Sequence, residues 1–256
     1  MSGKDELTVM LWYGLFLLAI VVMMKACAVN REVVDPGTGF ETVQVSDERA
    51  EEILKQVNLI RIYAEPESAS MTGFDVNEEG SIAIGFRRTN DKAIGIYDSE
   101  GIFRYGYRFQ TSGAFRLELD QEDLILYLVR GDFMIRINPE GDVELVADIL
   151  DTRENNTYAN YLDAMRKKTV GDRKYVMRKN LGILNGFAFS YSQLVMIGAD
   201  GEETIIYDVS LQNGIKTVLI LTVILLMVGY WLKVELPKRL AEEDEVPVRK
   251  EGSVKE

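Results

Sequence analysis

Acidic side chains that lie close together in the chain are the first candidates for chemistry. Asp120, Glu122 and Asp123 fall within one short stretch, and paired carboxylates serve as the acid and the base of many hydrolases. Nothing in the sequence positions a substrate beside them, and acidic turns are common in hairpin proteins. A carboxylate-based hydrolase is therefore only a remote alternative, and we predict no catalytic residue and no enzyme.

A second acidic stretch, from Asp75 to Gly80, is similar to the first half of a calcium-binding loop. The bidentate Glu expected at the twelfth position is Phe86, so the pattern fails further on. A hairpin turn with Gly80 at positive φ explains the stretch better. We likewise interpret Asp98 and Asn138 as turn formers, and we predict no metal site.

Histidine is absent from the chain, and Cys27 is its only cysteine. The usual general base, the commonest zinc ligand and any multi-cysteine metal site are thereby excluded. The sequence predicts no cofactor.

One segment reverses the acidic character of the chain. Seven basic residues crowd fourteen positions that hold a single acid, Asp172. They form a candidate interaction patch for anionic lipid or an acidic partner. A solvated helix end followed by an edge strand protected by lysines is the more favoured interpretation. The patch consists of Arg166, Lys167, Lys168, Arg173, Lys174, Arg178 and Lys179.

The net charge of −12 argues against nucleic acid as a partner, because phosphates require clustered lysine and arginine. An acidic, solvated surface is the simpler explanation of this charge.

The elements that must position these residues follow from a repeat in residues 74–149. Two strand-turn-strand copies carry Gly101 and Gly141, 40 residues apart. In Phe103–Phe109 the alternation of side chains puts four aromatic rings on one face. Leu124–Val129 is an unbroken apolar run, which is typical of a strand covered on both faces. The pattern predicts antiparallel hairpins, with about four strands in each unit.

A weaker third copy follows, with strands expected at 187–191, 194–197 and 204–207. Gly201 lies 60 residues after Gly141, so extra residues intervene. Aromatic and apolar residues at helical spacing predict an inserted helix over 152–169.

With this period, residues 70–208 resemble blades of NHL or WD-type β-propellers. The sharper dipeptide signatures of those families are absent, so the resemblance implies an architecture, no specific family and no function. A closed propeller needs at least four blades, and about three units are found. An open or partial propeller and a β-meander or sandwich both remain open. We predict a mainly β fold with short helices, and a β-repeat domain over 70–210.

Two apolar segments bracket this domain. Leu7–Met24 has no charge and ends at Lys25, and Thr217–Leu232 is flanked by two lysines. Snorkelling lysines bring each segment to the length that crosses a hydrocarbon core of ~30 Å. We predict transmembrane helices at 7–26 and 214–234. For the first segment, cleavage as a signal peptide and lipoprotein processing at Cys27 are the alternatives.

The remaining segments are a lead at 1–6, a linker with an amphipathic helix over 27–69, and a disordered charged tail at 235–256. Within the linker, Ser46 is placed as the N-cap of a helix from about Asp47 to Val57.

Basic residues indicate the orientation in the membrane. Lys233, Lys238 and Arg239 follow the second span, against Lys216 alone on its other flank. The positive-inside rule then predicts two spans with both termini in the cytoplasm and the central domain outside.

These features favour a membrane-anchored extracytoplasmic module for protein interaction or sensing, as an accessory subunit of a membrane assembly. Its predicted partners are the lipid bilayer and either another protein or a second copy of the chain. An extracytoplasmic receptor for a small molecule, a glycan or calcium is the alternative.

Overall fold

The protein is described by a computed structural model that covers residues 39–66, 69–87, 91–188 and 190–235. The chain divides into two units, Met1–Asn213 and Gly214–Glu256. All described strands belong to the first unit, which we call the body. The predicted lead and first membrane span lie outside the described residues, as does the predicted tail beyond residue 235.

The first described elements are β1 (Thr42–Gln44), α1 (Asp47–Val57) and β2 (Ile60–Ile62). α1 is the helix predicted from its apolar stripe, and the Ser46 side chain accepts a hydrogen bond from a backbone N–H of the first turn. The two strands correct the prediction of a linker over 27–69, because each of them joins the outer edge of a sheet. Strands of three residues are too short to show a period in the sequence.

Blade 1 is an antiparallel sheet of five strands in the order β2-β6-β5-β4-β3. The hairpins connect sequential neighbours, as the repeat predicts, and β2 is added at the outer edge. The strands that follow β2 are β3 (Ser70–Val76), β4 (Ile82–Arg87), β5 (Lys92–Tyr97) and β6 (Phe103–Phe109).

Three of the four aromatic rings predicted to share one face of β6 do so. Tyr105, Tyr107 and Phe109 pack in one core cluster, whereas Phe103 packs in another against Tyr97. A register shift in the β5–β6 ladder causes the difference, because an irregularity there rotates the following side chain to the opposite face.

Blade 2 has the same construction, with the strand order β1-β10-β9-β8-β7. The apolar run of β8 is covered on both faces, as predicted: Leu126 packs toward blade 1, and Tyr127 packs on the opposite side against Tyr158. The strands are β7 (Phe115–Asp120), β8 (Asp123–Leu128), β9 (Phe133–Ile137) and β10 (Val143–Ile149).

The inserted helix is shorter than the predicted 152–169. α2 covers Arg153–Ala164, and Met165 already has extended backbone angles. The residues after it pair as a strand of the third sheet, so their ladder hydrogen bonds replace those of a longer helix.

Blade 3 is a four-stranded sheet in the order β11-β12-β13-β14. Its first two strands come from the basic segment. Of the strand expected at 187–191, the described residues show only an isolated antiparallel bridge from Tyr191 to Met71, and Gly182–Phe187 before it forms a 3₁₀ helix. The strands are β11 (Lys167–Val170), β12 (Arg173–Arg178), β13 (Gln193–Ile197) and β14 (Glu203–Asp208).

The three blades share two apolar cores. Ile94 and Leu126 belong to the core between blades 1 and 2, and Phe74 and Tyr175 belong to the core between blades 1 and 3. Blade 1 is therefore packed on both faces. The inner edge strands β3, β7 and β11 run next to one another, with β3 beside each of the other two. This arrangement is propeller-like, with three blades among the described residues.

The predicted turn formers are confirmed. The Asp98 carboxylate accepts the N–H groups of Glu100 and Ile102, and the Asn138 amide oxygen accepts those of the glycine and aspartate that follow. Gly80 has φ of +87° in the hairpin turn 77–81, whereas Asp75 and Val76 at the start of the acidic stretch belong to β3.

The last strand leads directly into α3 (Ser210–Tyr230), which continues in a π-helical turn over Trp231–Glu235. The 25 residues Ser210–Val234 within them have a mean hydropathy of 2.2, and only 6% of the most apolar window is buried. By length and composition this helical segment is long and apolar enough to cross a membrane. It is the one such helix in the described part of the chain.

Candidate functional site

The carboxylates first considered for hydrolysis are engaged in ion pairs. The Arg136 guanidinium binds Asp120 at 2.8 Å and Asp123 at 2.7 Å, and the hydrogen bond to Asp123 raises the pKa of Arg136 above its ordinary value. Glu122 is exposed in the turn between β7 and β8. This geometry stabilises the hairpin of β7 and β8.

The seven residues of the basic patch do not form one surface. Lys168 points inward to Asp75, and Arg178 makes a bidentate ion pair with Glu203. Three others bind backbone carbonyls: Arg166, Arg173 and Lys179.

Lys167 and Lys174 are exposed. Lys174 lies near the turn before β12, and Lys167 lies near the opposite end of the same hairpin. The patch is therefore divided between the two ends of blade 3.

A buried polar cluster lies where the inner strands meet, and the sequence did not reveal it. Asp75 on β3 is 3% exposed. Its carboxylate accepts two hydrogen bonds, one from the Lys168 ammonium of β11 at 2.5 Å and one from the Leu119 N–H of β7 at 2.8 Å. One side chain therefore links the three inner strands.

A second carboxylate of this inner polar cluster belongs to β7. Glu118 accepts the hydroxyl of Tyr127 at 2.5 Å with one oxygen, and the hydroxyl of Tyr158 on α2 with the other. The two hydrogen bonds tie α2 to blade 2.

The electrostatics of the cluster follow from its burial. Loss of solvation raises the pKa of Asp75 above its ordinary value, and Lys168 opposes the rise through its charge and its hydrogen bond. Burial likewise raises the pKa of Glu118, and the hydrogen bonds from Tyr127 and Tyr158 oppose it. Burial and the Glu118 charge raise the pKa of Tyr127, so its hydroxyl stays a donor.

A small cavity of about 30 Å³ lies between β3, β7 and the end of α2. The Thr72 hydroxyl, which lines it, is buried without a hydrogen-bond partner among the described protein atoms. The volume suits a buried water that would satisfy this hydroxyl, and it is too small for an organic substrate.

A signal for the cluster was present in the sequence. Asp75 lies between Phe74 and Val76, and Glu118 lies between Leu117 and Leu119. A carboxylate inside an apolar strand needs a buried partner, because an unpaired buried charge is very costly. The partner on β11 lies 93 residues away in the sequence, and no local pattern connects the two.

The two ends of the body differ in charge. Six turns lie at the end of the sheets where β3 finishes, and they carry ten acidic residues and no basic one. We call this the acidic end. Its turns are 77–81, 98–102, 121–122, 138–142, 171–172 and 198–202.

At the other end, which we call the helix end, β14 passes into α3. The described connections there carry three acidic and three basic residues, so their charges balance. They are 91, 110–114, 129–132, 150–152, 165–166, 179–188 and 190–192.

No group of three or more histidine, cysteine, aspartate or glutamate side chains in the described ranges is arranged to hold a metal ion. The acidic end therefore offers no preformed calcium site in these ranges.

No protein-family model matches the sequence, and no curated protein matches it. Three solved structures are similar to the body, each over 57% of this chain. A catalytically inactive virginiamycin B lyase from Staphylococcus aureus with quinupristin is 14% identical, with a TM-score of 0.27. Sqt1 from Saccharomyces cerevisiae is 18% identical, and a streptogramin B lyase is 10% identical, both with a TM-score of 0.25. The matches cover 44%, 34% and 43% of those chains, less than half of each.

These structures are propeller-like β-repeat proteins, in agreement with the resemblance found in the sequence, and they identify no specific family. Two of the three are named as lyases, which are enzymes. This finding contradicts the prediction that the chain is not an enzyme, and we do not propose it again.

Proposed function

We propose that the protein is a membrane-anchored, propeller-like module that binds a partner protein or a second copy of itself. The observation that carries the proposal is the apolar helix Ser210–Val234, which begins one residue after the last strand of the body. Its 25 residues exceed the ~20 that cross a hydrocarbon core, and 6% burial in its most apolar window leaves the surface that lipid would cover.

The outer edge of blade 3 supports partner binding. Blades 1 and 2 each receive a fifth, outer strand, β2 and β1, from the segment before β3. Blade 3 has four strands among the described residues, so β14 has a ladder partner on one side only. An edge strand with free N–H and C=O groups accepts a strand from another chain, and Ile205 on β14 is 55% exposed there.

A charged substitution on this edge tests partner binding. We expect Ile205→Lys to abolish the partner or the oligomer that the full-length protein retains in mild detergent, because a lysine disfavours addition of a strand. Native mass spectrometry and affinity isolation from the same detergent extract provide the measurement.

Ile102→Lys is the matched control, since Ile102 is 59% exposed and lies in a turn of blade 1. Both variants should unfold at nearly the temperature of the parent protein, because both side chains are largely solvated. A monomeric parent protein without any partner, or a complex that survives Ile205→Lys, would contradict the proposal.

The proposed topology has two spans, 7–26 and 214–234, with both termini in the cytoplasm and the body outside. The division into lead (1–6), segment 27–69 with its helix and the edge strands β1 and β2, β-repeat domain (70–210) and tail (235–256) belongs to the same proposal. The basic residues after the second span support this orientation. Of the original basic patch, a role in partner binding is proposed for the exposed Lys167 and Lys174 only.

Protease accessibility checks the topology. Protease added outside intact cells should degrade the body and leave an epitope tag at residue 256 protected, because the tail is placed inside. Permeabilised cells serve as the control, and in them both parts should be cleaved. A body that is protected in intact cells would refute the orientation.

A further inference from the structure

The connection between β12 and β13 exposes apolar side chains to solvent. Ile183 is 96% exposed, the highest value for a large hydrophobic residue among those described. Leu184 and Phe187 beside it are half-buried. We call residues 181–187 the apolar loop.

The apolar loop has a defined internal structure. The Leu184 N–H donates to the Leu181 carbonyl, and the Leu181 N–H donates to the Asn185 side chain at 2.7 Å. Lys179 closes the base of the loop by donating to the Ala188 carbonyl at 2.6 Å. These bonds give the loop a defined conformation, in which Ile183 faces solvent.

The apolar loop lies at the helix end of the body. Ser192 follows the loop. Its N–H donates to the Arg178 carbonyl, and its carbonyl accepts a hydrogen bond from the Val209 N–H at 2.8 Å. The Asn213 amide donates to the Tyr191 carbonyl at 3.2 Å. The loop is therefore tied to residues 209–213, the last residues of the body before the chain continues as the apolar helix.

The charge of the body favours the same end for a lipid surface. The six turns of the acidic end hold ten carboxylates and no basic residue, although Arg61 and Arg173 donate to backbone carbonyls of two of these turns. The excess of carboxylates disfavours contact with hydrocarbon and with anionic headgroups. The described connections at the helix end are balanced in charge, and they carry Ile183, the most exposed large apolar side chain among the described residues.

We propose that the apolar loop inserts into the interface of the bilayer that α3 spans, with Ile183 at the greatest depth. The inference rests on the proposed membrane anchoring by α3. A lipid interface suits the loop because it would remove the exposed Ile183 side chain from water, and because the polar headgroup region can still hydrogen-bond to the loop backbone. A further contact with the bilayer, in addition to the proposed spans, would restrict the tilt of the body.

Lipid-borne quenchers test the insertion in the full-length protein reconstituted into phosphatidylcholine nanodiscs. Cys27→Ser removes the native thiol, and Ile183→Cys, Glu100→Cys and Leu225→Cys each carry an NBD fluorophore in that background. Glu100 lies at the acidic end, and Leu225 lies in the middle of α3. Nitroxide lipids carry the quencher either near the headgroup or near the middle of the acyl chain.

At residue 183 we expect the headgroup quencher to remove roughly half of the emission and the mid-chain quencher to remove little, since interfacial side chains sit at the headgroup boundary. At residue 225 the mid-chain quencher should act most strongly, and at residue 100 neither should act.

The outcomes separate this inference from the anchoring itself. Quenching at 225 without quenching at 183 overturns the loop insertion and leaves the anchoring in place. A blue-shifted emission at 183 without quenching also overturns it, because the loop would then be covered by protein. Absence of quenching at both 183 and 225 overturns the anchoring and the insertion together, and equal quenching at 183 and 100 overturns the assigned orientation of the body.

Discussion

Asp75→Ala is expected to lower the free energy of unfolding by about 3 kcal/mol, because removing one partner of a buried ion pair leaves the other charge uncompensated. The substitution also removes the acceptor of the Leu119 N–H on β7. A third of the Lys168 side chain reaches solvent and can rehydrate, which limits the loss. Urea unfolding of the full-length protein in mild detergent, followed by the circular dichroism of the sheets, measures the difference.

Asp163→Ala is the matched control for this experiment. Asp163 makes a bidentate pair with Arg116 at 2.6 and 2.8 Å, but its side chain is 53% exposed. The Arg116 side chain is 15% exposed, so this is a half-exposed pair, and we expect its loss to cost about 1 kcal/mol, less than the loss of the buried pair. If the two alanine variants lost the same stability, the link that Asp75 forms between the inner strands would not be important for the fold.

Removal of the other partner adds a pH dependence. Lys168→Met deletes the charge and the hydrogen bond that lower the pKa of Asp75, so burial raises that pKa further. A raised pKa in the folded state means that stability is present while Asp75 is protonated and is lost as the pH rises through that pKa. The deficit of Lys168→Met relative to the parent protein should therefore grow from acidic to neutral pH. A deficit that is independent of pH would show that Asp75 is not the titrating group.

The local parts of the fold could be predicted from the sequence. The turns at Asp98 and Asn138 depend on a side-chain oxygen and a glycine within three residues, and the coverage of β8 depends on one apolar run. All the residues that produce each of these signals lie within a few positions of one another. They survive in any arrangement of the sheets, which is why a propeller and a meander looked alike.

The parts that failed depend on distant partners. β1 and β2 are strands only because β10 and β6 offer them an edge. In the basic segment, the favoured interpretation was a helix end followed by an edge strand, and strands β11 and β12 lie there. That interpretation did not foresee that Lys168 pairs with the buried Asp75. Within the inner polar cluster, Glu118 and Tyr127 are nine positions apart in one hairpin, but the other bonds join residues 93, 44 and 40 positions apart, beyond any local window of sequence. Strands β3, β7 and β11 lie next to one another because the blades pack together. The local composition of each strand does not predict this packing.

Glu118→Ala is the second substitution for which we expect a large effect. It leaves the Tyr127 and Tyr158 hydroxyls without their acceptor, and each unsatisfied buried donor costs about 1–3 kcal/mol. Because Tyr158 is on α2, the loss should be greatest for the contact between the helix and blade 2. Hydrogen exchange of α2 amides, measured together with urea unfolding, should show faster exchange there than in blade 1.

Three further variants decide whether hydrogen bonding is the cause. Tyr158→Phe removes one donor and keeps the aromatic contact with Phe40, so it should cost less than Glu118→Ala. Glu122→Ala, at an exposed carboxylate in the next turn, should leave the stability nearly unchanged. In the double variant Tyr127→Phe with Tyr158→Phe, Glu118 stays buried without its donors, and burial then raises its pKa unopposed by them. The stability of the double variant should therefore fall as the pH rises through the raised pKa of Glu118. If the variant were as stable at neutral pH as at acidic pH, the charge of Glu118 would have to lie in solvent. That result would refute a buried carboxylate at this position.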